Sequence, residues 1–160
     1  VLSGGLAGHI YGAGGWDGGI WRGDVEEASP VPIWDAMQWP GAAQMQHMTC
    51  FLQHAGDRYV ELVPSLQLVD PNRSGPVTGF DGWAYCAATP ARDLLLIYLE
   101  HGTPTASVTQ LPPETDYQGR WFDPRTGEWS DPWQRSTDAT GKLALPDKPT
   151  VSDWALDLTS

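Results

Sequence analysis

The residues with the clearest chemical potential lie near the start of the chain, in the glycine-rich stretch "GGLAGHIYGAGGWDGGIW". It sets His9, Tyr11, Trp16, Asp17 and Trp21 among glycines. Flat indole and phenol rings cover the apolar faces of sugars, and a carboxylate or imidazole hydrogen-bonds their hydroxyls. These five are the candidate substrate-binding residues, the expected lining of a sugar pocket. Trp16 and Trp21 have a second reading, as plugs of a barrel mouth or an interdomain seam. A nucleotide fingerprint is excluded: after Gly12 and Gly14, Asp17 stands where the third glycine belongs, and no Gly-Lys-Ser/Thr occurs.

Catalytic residues are not expected in this chain. Glycoside hydrolysis needs a pair of carboxylates, and Asp17 stands alone, while Glu26 and Glu27 occupy a polar loop. His47 and His54 are seven apart on an expected helix, as surface or interface residues, and no third ligand completes a metal site with them. "DPRTGEWSD" is acidic but lacks calcium-loop spacing. No metal and no cofactor is expected. Cys50 and Cys86 match no metal spacing; they read as buried free thiols or, less simply, as a disulfide. Trp121, Trp129 and Trp133 read as core, with a carbohydrate-binding platform as the alternative.

Composition narrows the partners. The net charge is −11 and only two lysines occur, so neither a nucleic acid nor an anionic membrane is an expected partner. No apolar run approaches the roughly 20 residues of a membrane span. Nine tryptophans and 41% hydrophobic residues suffice for a core.

Two unlike units must position these residues. Residues 1–12 read as an apolar strand opening into a long loop. A helix then carries Met45, Met48, Leu52 and Ala55 on one face and stops at Gly56. Strand, loop and helix make one βα unit, expected to pack Met45, Met48 and Leu52 on a barrel sheet. Residues 61–79 read as a linker or transition, punctuated by Pro and Gly. Beyond it come seven strand-sized pieces, "GWAYCAAT", "DLLLIYLE", "ASVTQL", "YQGRWFDP", "EWSDPWQRS", "GKLALP" and "DWALDLT". Their spacing is that of an antiparallel β-sandwich over 80–160. Pro124 and Gly127 mark a hairpin tip.

In order along the chain, "SGGLAGHIYGAGG", "IWDAMQWPGAAQMQHM", "YVELVPSLQLV" and "RWFDPRTGEW" resemble the apiosidase-like glycoside hydrolases. Those enzymes have a (β/α)8 barrel followed by a β-sandwich known as a "putative collagen-binding" domain. The resemblance implies a mixed fold: the last strand, loop and helix of a (β/α)8 TIM barrel over 1–60, then the sandwich. It implies a secreted or periplasmic hydrolase whose catalytic carboxylates lie on an upstream barrel polypeptide, with a carbohydrate substrate. His9 and Tyr11 are the motif positions near the pocket. A non-catalytic carbohydrate- or matrix-binding sandwich is the rival reading.

Overall fold

A computed structural model describes Leu2, residues 38–72 and residues 82–160. The elements, contacts and absences of the fold are those of these described residues. Strands β1 (Val63–Pro64), β2 (Val69–Asp70), β3 (Ala84–Ala88), β4 (Leu94–Leu99), β5 (Ser107–Val108), β6 (Asp116–Phe122), β7 (Trp133–Ser136), β8 (Leu143–Ala144) and β9 (Trp154–Thr159) form two antiparallel sheets. The larger has the order β1-β3-β4-β9-β6-β7 and the smaller β2-β5-β8.

Each of the seven strand-sized segments beyond residue 80 forms a strand, because each alternates side chains toward a buried layer between turn residues. Leu95 and Ile97 of β4, Tyr117 and Trp121 of β6, and Leu156 and Leu158 of β9 point inward. They meet Val69, Val108 and Leu143 of the small sheet in one core, which makes the domain a β-sandwich. β9, the last strand in the chain, lies between β4 and β6 in the middle of the large sheet.

Two further strands arise before residue 80. Leu62 and Leu68 are buried, and a 3-10 turn at Leu66–Leu68 carries the chain from β1 on the large sheet to β2 on the small one. Residues 61–72, read from their prolines as transition, thus supply one edge strand to each sheet. Pro64 sits at an edge, where its missing N–H is tolerated.

Helix α1 (Pro40–Gln53) begins with proline in its first turn, and Gly56, at φ 57°, opens a following 3-10 helix (Gly56–Glu61). The helix packs on the sandwich. Phe51 is buried, and Leu52, Ala55 and Tyr59 join it against Ala87, Leu94, Leu96, Phe122 and Ala155 on the outer face of the large sheet. The expected packing of Met45, Met48 and Leu52 on a barrel sheet is not supported. Leu52 lies on the sandwich, and Met45 and Met48 border a groove with Tyr85 and Tyr98 of the same sheet. The strand expected over 1–12 and the loop expected as far as Pro32 fall outside the described residues apart from Leu2, and the barrel unit is not supported.

The β6–β7 hairpin is built as its turn residues suggest. Gly127 takes φ 79° and donates its N–H to the Asp123 carbonyl at 2.8 Å. The Asp123 carboxylate accepts from the Arg125 backbone N–H and from two guanidinium nitrogens at 2.6–2.8 Å. That acidic group is therefore occupied by arginine.

Candidate functional site

His9, Tyr11, Trp16, Asp17 and Trp21 all lie outside the described residues, as do Glu26 and Glu27. The polar chemistry that is described gathers on the outer face of the large sheet. Period-2 alternation sends Gln118, Arg120 and Phe122 of β6, and Ala155, Asp157 and Thr159 of β9, to that face. Register then sets Arg120 directly opposite Asp157, and Gln118 opposite Thr159. On its other side Asp157 is opposed by Leu96 of β4. A carboxylate is thus embedded at the border between an apolar half-face under α1 and a polar half-face toward β7.

The end of α1 completes the arrangement. His54, the helix C-cap, brings its Nε2 to 3.2 Å from Asp157 Oδ2, and its ring stands 4.4 Å from that of Trp129. Trp129 also meets Phe51 and Phe122, with centroids 5.8 and 4.8 Å apart, so one indole ties helix to sheet. The guanidinium of Arg120 lies over the same indole, 5.2 Å from its centroid, and its Nε donates to the Ser130 carbonyl at 3.3 Å. Arg58 is engaged with Asp93 at 2.7 Å and Glu61 at 3.2 Å.

Asp157 is 6% exposed, and its Oδ1 meets no hydrogen-bond partner among the described residues. Burial pushes its carboxyl above the ordinary range, opposed by the charges of His54 and Arg120. Opposite behaviour holds at Asp123, where hydrogen bonding to Arg125 keeps the carboxyl low. His54, Arg58, Gln118, Arg120, Asp157 and Thr159 border a cleft of about 590 Å³.

The reading of both histidines as surface or interface residues fits: His54 stands, part exposed, on Asp157, and the His47 ring lies against Gly127 of the hairpin tip. Trp121, Trp129 and Trp133 are packing residues. Trp121 is buried in the core, Trp129 is in the helix–sheet cluster, and Trp133 covers Gly119, where a Cβ would overlap its ring. They do not form an exposed platform. Both cysteines are free thiols, but Cys50 is exposed on α1, which corrects the expectation that both are buried.

Asp157 and Arg120 escaped the sequence reading. The available signal was Asp157 in the middle of "DWALDLT", flanked by apolar residues, where a charge is costly unless it is paired or useful. Its partner was invisible, because β6–β9 register joins positions 37 residues apart.

The fold is an antiparallel β-sandwich with one outer face covered by a helix. The chain belongs to the family described as "Putative collagen-binding domain of a collagenase", whose model matches residues 77–159. Two solved structures are similar. One, titled "Glycoside hydrolase", gives a TM-score of 0.60 at 16% identity, over 88% of this chain and 30% of the other. The second is a glycoside hydrolase family 5 protein from Bacteroides vulgatus ATCC 8482, with a TM-score of 0.59 at 14% identity, over 86% of this chain and 29% of the other. At such identities the likeness is one of fold, and this chain spans less than a third of either relative's length. No curated protein matches it in sequence.

Proposed function

We propose that this chain is the C-terminal portion of a glycoside hydrolase. Residues 1–60 would close a (β/α)8 catalytic barrel and supply one wall of its sugar pocket through His9, Tyr11, Trp16, Asp17 and Trp21. The sandwich would buttress that wall. The observation that carries this reading is the packing of α1 on the large sheet. A binding module on a linker is joined to its neighbour by few contacts, whereas here the preceding helix shares an apolar core with the sandwich. The likeness to the two hydrolase structures also extends over 88% and 86% of the chain, beyond the 77–159 matched by the family model.

Hydrolysis would use two carboxylates outside this chain, one as acid and the other as nucleophile or base. The isolated chain is expected to be inactive, and the working enzyme to be secreted or periplasmic. The test is native and denaturing mass spectrometry of the protein from its natural source, with assay on a panel of aryl glycosides. The expected result is this sequence within, or bound to, a larger polypeptide that hydrolyses one of them, with turnover reduced by Trp16→Ala. A folded 17.5 kDa chain recovered alone from that source would overturn the reading. The rival, a non-catalytic carbohydrate- or matrix-binding sandwich, would have to use residues other than Trp121, Trp129 and Trp133, which are engaged in packing.

A further inference from the structure

The cleft beside Asp157 holds two polar groups whose bonding capacity the fold leaves partly unused. Asp157 is an acceptor with an unpartnered Oδ1, at a site almost wholly withdrawn from water. Such an atom costs free energy unless a donor reaches it. Arg120 is a donor only. Trp129 and the Ser130 carbonyl orient its guanidinium, and its terminal nitrogens meet no acceptor among the described residues. The two stand opposite each other across β6 and β9, yet they form no ion pair. His54 already serves Oδ2, and Arg58 is taken by Asp93 and Glu61, so neither neighbour satisfies the pair.

A ligand matched to this arrangement carries an anionic, planar acceptor for the guanidinium fork and, a few atoms away, a hydroxyl donor for the carboxylate. A bare anion would leave Asp157 unsatisfied and would face its negative charge. A neutral sugar would offer Arg120 single hydroxyl acceptors but neither a counter-charge nor a planar partner for the fork. We propose that this cleft is a binding site for a sugar acid. Its carboxylate would sit on Arg120, one ring hydroxyl would donate to Asp157, and Gln118 and Thr159, opposed in the next row of the same face, would take further hydroxyls. The volume of about 590 Å³ is within the range of small-molecule sites. The site uses residues on β6, β9 and the end of α1 only, so it stands whether or not the chain completes a catalytic barrel.

The experiment is calorimetric titration of the whole 160-residue chain with glucuronate and galacturonate, beside glucose, galactose and inorganic phosphate. The expected result is saturable, one-to-one binding of at least one uronate, with its neutral parent weaker by about tenfold or more, the ratio set by one charge-assisted contact. Arg120→Gln lowers uronate affinity to the level of the neutral parent. Arg120→Lys, which keeps charge and loses the fork, falls between the two and provides the reading if the glutamine variant does not fold. Asp157→Asn weakens uronate and neutral sugar together. Absence of uronate binding, equal binding of the neutral parent, or no effect of either Arg120 variant in folded protein would each overturn the proposal. Phosphate binding as tightly as uronate at the same place would overturn it in favour of a plain anion site. A larger polypeptide travelling with the chain, or none, leaves this titration unaffected, so its failure is separable from failure of the hydrolase reading.

Discussion

The two thiols illustrate how far one residue's surroundings set its chemistry. Cys86 is fully buried on β3, and desolvation pushes its thiol up to about 12, while Cys50 is exposed on α1. A thiol reagent at pH 8 is expected to label one cysteine in the native chain and both in denaturant, which mass spectrometry of the adducts can count. Two native adducts would contradict the β3 packing. Asp157 gives a pH signature whose sign follows from burial. Its folded-state pKa is raised above the unfolded value by desolvation, so its contribution to stability is fully present below the ordinary carboxylate pKa and is lost as pH rises through the raised value. Asp157→Asn removes that loss. Its melting temperature relative to the parent should therefore rise as pH goes from about 4 towards neutrality, and a gap independent of pH would show that the carboxylate is not held as described.

At the scale of elements, α1 is held chiefly by Phe51. Its ring is 5.4 Å from Phe122 and 5.8 Å from Trp129, and it is the one buried residue of the helix. Helices in proteins take most of their stability from such a packed face. Phe51→Ala is expected to cost about 3–5 kcal/mol in denaturant unfolding. Hydrogen exchange should quicken first in residues 40–53, because the β-core does not depend on this ring. Uniform loss of protection would mean that helix and sandwich unfold as one unit. The hairpin at Asp123–Glu128 behaves differently: its geometry is set within six residues by Gly127 and the Asp123–Arg125 contacts.

The described residues form a sandwich whose large sheet is covered by the small sheet on one face and, over the apolar half of the other, by α1 and its 3-10 extension. The boundary suggested by composition, near residue 80, therefore divides a single packed structure. A fragment of residues 77–160, the part carrying the family signature, would lack α1, β1 and β2 and expose Leu94, Leu96, Phe122 and Ala155. Contiguous apolar surface of that kind drives association. The fragment is expected to bind a hydrophobic dye and self-associate, where a chain retaining residue 38 onward does not; light scattering distinguishes the two. A soluble, monomeric, fully folded 77–160 fragment would show that the helix is an ornament rather than part of the domain.

Local pattern was enough for the strands beyond residue 80, for α1 and for the β6–β7 turn, because alternation, helical spacing and turn residues act over a few positions. "DLLLIYLE" and "DWALDLT" are legible as strands for that reason, and Pro40 and Gly56 bracket the helix. The same rule failed over 61–72, where prolines and short apolar runs resemble a linker. Two-residue edge strands there are fixed by pairing with β3 and β5, which lie 20 to 40 residues away. The destination of α1 was likewise undetermined, since an apolar helix face does not specify which sheet it will cover. Pairing of Arg120 with Asp157 beneath His54 needed the register of β6 against β9 and the seating of α1 on both. The sequence alone determined α1 and the strands beyond residue 80, through short-range sterics and burial pattern; only the tertiary structure decided β1, β2 and the neighbours of every element, because register and packing are settled between residues distant in the chain.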